Sequence, residues 1–222
     1  MSKSSFSLKR RLGYFLLTII LSLIGYIAVI VTVLPLVSPF ISSLGLVMSA
    51  TDSTDDLKTG SIFEPKVDLA EKDTVNEKDI VMPVYGTHYA KLEIPALSVS
   101  VGLYFGDSSQ VLKKGVGQYI GSSLPGYGRP ILIGGHNNGA FNALQRVKVG
   151  DTVAITTNYG VYQYRVTGTS VADQSDKSAY DLSQNKEQLI LYTCYPFNTL
   201  GLTNKRFFVY GDKISGPEIV TD

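Results

Sequence analysis

Cys194 is the single cysteine of the 222-residue chain. It stands at the end of a run that reads as a buried strand, Leu189-Ile-Leu-Tyr-Thr193, because apolar, β-branched and aromatic residues suit a pleated ladder. Tyr195-Pro196 follows, and proline, with no N–H to donate, ends a ladder. A thiol so placed is either a small buried hydrophobe or a nucleophile whose thiolate needs a base or a cation beside it. Twelve positions on, Arg206 opens a second strand-like run, Phe207-Phe-Val-Tyr210. Its guanidinium keeps its charge and offers a rigid fork of donors, which suits a developing oxyanion. Neighbours on a strand face opposite ways, so one of Lys205 and Arg206 can face the thiol, and donor geometry favours Arg206. His136 lies in Ile131-Leu-Ile-Gly-Gly-His-Asn-Asn-Gly139, where a buried strand runs into a glycine pair that permits a sharp turn or a close backbone approach. His88, in an alternating strand beside Tyr89, reads as structural.

Strands must carry these side chains to one rim. From Val84 onward the chain offers short strands separated by turns. His88-Tyr-Ala-Lys-Leu-Glu-Ile94 alternates and meets Pro95, residues 98–105 form another run, and Ile131-Leu-Ile133 a third. Residues 152–157 and 161–167, joined by Asn158-Tyr-Gly160, read as a hairpin. Glycines at 115, 117, 121, 126 and 128 mark a loop-rich middle, and residues 181–186 a turn or short helix. Long helices are missing from this region, so the pattern points to an antiparallel barrel or sandwich of about 130 residues.

Net charge is +1, which gives no electrostatic reason to expect nucleic acid. One cysteine excludes an internal disulfide and any multi-cysteine zinc site, and two histidines leave little for other metals. The near-neutral total hides a segregation. Lys3, Lys9, Arg10 and Arg11 crowd the start, and no charged residue occurs from Leu12 until Asp52. Residues 12–34 are long and apolar enough to cross a bilayer, with the basic cluster on the cytoplasmic side. A cleaved signal peptide is the rival, although its apolar core would be unusually long. Residues 36–50 stay apolar as an interfacial piece or the second arm of a hairpin. Residues 51–80 carry nine of the nineteen acidic residues and read as a solvated linker, with one short helix around 68–77.

Taken together these residues resemble the sortase family over residues 85–214. Leu191-Tyr-Thr-Cys194 with Arg206 downstream is similar to the family's Thr-Leu-x-Thr-Cys…Arg pattern, with Ile190 where its first threonine stands. Leu92-Glu-Ile-Pro95, residues 115–119 and Leu124-Pro-Gly126 resemble further landmarks, and Cys194-Tyr-Pro-Phe197 resembles the class D group. The resemblance implies an all-β fold, an eight-stranded sortase-type β-barrel with short helices, preceded by an N-terminal transmembrane helix. The implied organisation is a cytoplasmic basic tail at 1–11 and an anchor at 12–34. A juxtamembrane segment and acidic linker follow at 35–83, then an extracellular catalytic barrel at 84–214 and a tail at 215–222. It also implies a cysteine transpeptidase that cleaves a Leu-Pro-x-Thr-Gly sorting signal on secreted proteins. Cys194 would form a thioester with the signal's threonine, His136 would exchange protons with the leaving and entering amines, and Arg206 would hold the oxyanion. Thr193 would position substrate. The acceptor amine would belong to a cell-wall precursor or, in pilin-polymerising relatives, to a pilin lysine. No cofactor is implied; some members are calcium-stimulated, but no calcium site is assignable. An anchored cysteine endopeptidase and a non-catalytic binding module are the rival readings. A peptidoglycan L,D-transpeptidase is disfavoured because Tyr192-Thr-Cys-Tyr195 lacks the Ser-His-Gly-Cys pattern around that family's nucleophile.

Overall fold

The computed structural model describes residues 61–64, 73–197 and 203–221, together with Tyr14, Leu16, Leu17 and residues 19–27. The chain divides into two units, residues 1–44 and 45–222. In the first, the described residues are helical and every one has an exposed side chain. Among the described residues no helix is long and apolar enough to cross a membrane. The remainder of the expected 12–34 span lies outside them.

The second unit is built on a closed barrel. Its strands are β2 (His88–Ile94), β3 (Val99–Phe105), β4 (Val116–Gln118), β5 (Ile131–Gly134), β6 (Thr152–Thr157), β7 (Val161–Asp173), β8 (Gln188–Tyr195) and β9 (Lys205–Ser215). They close in the order β2-β3-β4-β5-β8-β9-β7-β6. Eight strands agree with the expected barrel, but the sheet is mixed: β3 runs parallel to β4, and β5 parallel to β8. A purely antiparallel sheet would therefore misplace β5, whose parallel partner arrives only after the β6–β7 hairpin. Outside the barrel, β1 (Thr74–Asn76) pairs in parallel with β10 (Glu218–Val220).

Alternation fixes which way each side chain points. In β7, Tyr162, Tyr164 and Val166 are buried while Gln163, Arg165 and Thr167 are exposed. The interior also takes Ala90, Leu92, Ile94, Leu103, Ile131, Ile133, Val153, Ile155, Leu189, Leu191 and Val209. Burying one Leu or Ile contributes roughly 1.5–3 kcal/mol. A one-residue slip of β8 would expel Leu189 and Leu191 together, so the core pins its register. The outer wall of β5, β8 and β9 is covered as well. Leu132, Ile190 and Phe208 form a second cluster under Ala179, Tyr180 and Leu182. Burial on both faces explains why residues 189–193 read as continuously apolar rather than alternating.

Parts of the presumed solvated linker lie against the barrel. Ile62 N donates to His88 O at 3.0 Å, and Glu64 N to Asn158 Oδ1 at 2.7 Å. Phe63 and Tyr104 flank the His88 ring at 5.2 and 5.0 Å, and Ser61 Oγ lies 3.1 Å from its Nδ1. Burial keeps the His88 imidazole below its ordinary pKa. Residues 74–76 form β1 where the second half of a short helix was expected, because β10 offers them backbone partners; residues 68–72 fall outside the described residues.

Candidate active site

The core dictates which face the nucleophile occupies. With Leu189, Leu191 and Thr193 turned inward, Ile190, Tyr192 and Cys194 must face outward. On β9, Val209 faces the core, so Arg206, Phe208 and Tyr210 share the outer face. The antiparallel register sets Cys194 opposite Arg206 and Tyr195 opposite Lys205. Directly opposite residues of an antiparallel pair have Cβ atoms about 4.5–5.5 Å apart. Arg206, not Lys205, therefore neighbours the sulfur. Cys194 is partly exposed, so the reading of it as a sealed core hydrophobe is set aside.

Arg206 is held from one side. Its Nη1 donates to Thr203 O at 2.6 Å and Lys205 O at 3.0 Å, and its Nη2 to Gln174 Oε1 at 2.7 Å. Three of the fork's five N–H groups are thereby used, and those left, on Nε and Nη2, have no acceptor among the described residues. The pair lies on the outer wall at the strand ends, not inside the barrel mouth.

His136 reaches the same place by a parallel ladder. Gly134 pairs with Tyr192, and Gly135 N donates to Tyr192 O at 3.1 Å. The ladder ends at Gly134, and His136 follows two residues later on the connection that leaves the strand. Gly135 is required here, because a Cβ would meet the Phe141 ring at 2.6 Å. Two hydrogen bonds tie the histidine's segment to the nucleophile's. Thr193 Oγ1 donates to Gly135 O at 2.7 Å, and Asn137 Nδ2 to Pro196 O at 3.1 Å. The His136 imidazole is half-buried, and its pKa is lowered first by burial and then by the positive charge of Lys113. Both causes favour the neutral ring near pH 7.

Thr193 is placed otherwise than expected. It is 1% exposed and its hydroxyl is engaged by Gly135, so it cannot touch a bound peptide. Three further residues escaped the sequence reading. Tyr192 lies beside Gly134, where a Cβ would meet its ring at 2.5 Å, and its hydroxyl donates to Asp107 Oδ2 at 2.9 Å. Lys113, from the same connection as Asp107, bears on His136. The one available signal was the position of Tyr192 two residues before Cys194, on the same strand face.

A partly exposed thiol whose cross-strand neighbour is a fixed guanidinium suits acyl transfer through a thioester. Among the described residues no group of three His, Cys, Asp or Glu side chains could hold a metal ion. Fold and site together define a cysteine-dependent acyl-transfer enzyme on a closed barrel.

Comparison with known proteins sharpens that class. A Sortase domain model matches residues 92–214. The chain is 32% identical over 143 residues to Sortase D of Bacillus subtilis (strain 168), covering 64% of this chain and 72% of that protein. A Clostridium perfringens Sortase D5 transpeptidase shares the fold with a TM-score of 0.54 at 24% identity, covering 60% of this chain and 82% of its own. The structure of a C. perfringens sortase C with the C-terminal cell wall sorting motif matches with a TM-score of 0.54 at 27% identity, covering 60% and 73%. The chain belongs to the sortase family, with its likeness toward class D. It is thus a cysteine transpeptidase of the kind that joins proteins carrying a sorting signal to cell-wall amines.

Proposed function

We propose that Cys194, His136 and Arg206 perform this transfer on a Leu-Pro-x-Thr-Gly type signal. The observation that carries the assignment is the β8–β9 register, which makes Arg206 the cross-strand neighbour of Cys194. Cys194 Sγ attacks the carbonyl carbon of the signal's threonine. The negative charge then forming on oxygen is met by the unused N–H groups of Arg206, an interaction typically worth roughly 3–4 kcal/mol in the barrier. His136 takes the proton of the attacking thiol and gives it to the departing glycine nitrogen as the C–N bond breaks, leaving a thioester. In the second half it accepts a proton from the entering amine. Thr193 and Asn137 keep the imidazole's segment tied to the nucleophile's strand. The sorting motif bound to the C. perfringens relative supports the substrate class.

Mass spectrometry of the full-length chain in detergent, incubated with such a peptide, tests the reading. An acyl adduct on Cys194 that an added amine discharges is expected, and Cys194→Ala should lose both while melting as the wild type does. Transfer by that variant, or hydrolysis indifferent to amine, would reject it.

The chain acts as a single-pass anchored enzyme, its N-terminus cytoplasmic and its barrel outside. Support comes from the basic cluster at residues 3–11, the uncharged stretch to Asp52, and the helical residues Tyr14, Leu16, Leu17 and 19–27, whose apolar side chains are exposed. Protease added to intact protoplasts should digest the barrel; a protected barrel would place it inside.

A further inference from the structure

The connection between β3 and β4 delivers a carboxylate to the wall that bears Cys194. Gly117 of β4 pairs with Gly134 of β5, so neither strand puts a side chain there. A Cβ on Gly117 would collide with the carbonyl of Gly106 and meet Asp107 Cα at 3.1 Å. One on Gly134 would meet the Tyr192 ring. The backbone at 106–107 and the Tyr192 ring therefore lie flat on the wall from opposite sides. They join where Tyr192 Oη donates to Asp107 Oδ2 at 2.9 Å. Asp107 is half-buried, makes no ion pair with a described residue, and its Oδ1 accepts no hydrogen bond from one. It sits across Gly134 from Tyr192, and His136 follows Gly134 by two residues. Arg206 lies on the other flank of Cys194.

The Asp107 carboxylate and the Arg206 guanidinium differ in sign. Arg206 complements an oxyanion. On the His136 flank the reaction handles amines, and an amine in water is a cation. We propose that Asp107, held by Tyr192, is a specificity-determining residue that receives the acyl acceptor as its ammonium. This rests on the sortase reading of Cys194 and His136. The ammonium docks on Asp107 and loses one proton to His136, which passes it to water. The freed nitrogen attacks the thioester carbonyl, the C–N bond forms, and the C–S bond breaks. The nitrogen's second departing proton ends on the Cys194 sulfur. Lys113, exposed, brings its positive charge to bear on His136.

The test uses the full-length enzyme in detergent at neutral pH with a Leu-Pro-x-Thr-Gly peptide and two acceptors. One is glycinamide, mostly cationic there, and the other is hydroxylamine, which is mostly neutral. Asp107→Asn should raise the KM for glycinamide by about tenfold or more, since a charge-assisted hydrogen bond is lost. Thioester formation and hydroxylamine transfer should hold. Asp107→Glu should retain the preference for the cation, and Tyr192→Phe should weaken it. Equal loss with both acceptors, a changed peptide KM, or an unaltered glycinamide KM would each overturn the proposal. A wild-type enzyme that forms no thioester on Cys194 would instead overturn the functional reading beneath it.

Discussion

The hydroxyl of Thr193 donates a 2.7 Å hydrogen bond to the carbonyl of Gly135, which joins the strand of the nucleophile to the segment of the histidine. The residue before Cys194 thus faces the core and braces the residue before His136. Thr193→Val keeps shape and removes the donor, leaving a buried carbonyl less satisfied. The expected cost is about 1–3 kcal/mol of unfolding free energy. Because the brace sets the imidazole, kcat should fall while the KM for the sorting peptide stays, and Thr193→Ser should restore kcat. A stability loss with unchanged kcat would reduce Thr193 to a core residue.

Arg206 is fixed by Thr203, Lys205 and Gln174 with part of its fork left over. An ammonium cannot satisfy those three acceptors and still present directed donors. Arg206→Lys should therefore lower kcat on the order of 100-fold, the usual effect of losing one oxyanion donor. Steady-state rates with the sorting peptide decide it. Turnover near wild type would mean that charge alone suffices, or that the ammonium of Lys205 substitutes.

Much of this was legible from residue types. The β6–β7 hairpin follows from alternation on both sides of Asn158-Tyr-Gly160, and β2 from alternation ended by Pro95. Cys194, His136 and Arg206 stood out because thiol, imidazole and guanidinium are scarce and strand ends are readable. β4 was hidden, since three residues centred on a glycine are too few to show alternation and their pairing comes from neighbours. The docking of residues 61–64 was equally hidden, because its partners His88 and Asn158 lie 27 and 94 positions away. The inward orientation of Thr193, which was read as positioning substrate, follows from its parity with Leu191. The Tyr192–Asp107 contact spans 85 positions and depends on Gly117 and Gly134 being neighbours, which local sequence does not encode.

Glu187, 6% exposed, offers a test of stability separate from catalysis. Its carboxylate accepts from Gly126 N and Gly128 N at 3.2 Å and from Tyr164 Oη at 2.6 Å, and Lys213 Nζ lies 3.6 Å away. It clamps the 124–128 loop to the barrel. Glu187→Ala strands three donors and a partly buried ammonium, so about 3–5 kcal/mol of stability should go. It lies seven residues before Cys194 along the strand direction, about 23 Å at the usual rise. Activity per folded molecule should persist at low temperature. Urea unfolding together with active-site titration checks both halves, and an unchanged midpoint would contradict the clamp.

Lys113 offers the pH test. Burial and then the Lys113 charge lower the His136 pKa from its usual value. Lys113→Gln removes the second cause and leaves the first, so the imidazole should titrate at higher pH than in the wild type. Lys113 is exposed and screened, which keeps the shift small. The acid limb of kcat/KM should move up with it, because protonated His136 then survives to higher pH. His88, also depressed by burial but without Lys113 among its causes, serves as the internal control. Imidazole resonances followed by NMR should show His136 moving and His88 still, with the difference shrinking as salt is added. Equal movement of both rings, or none at His136, would remove Lys113 from the electrostatics of the site.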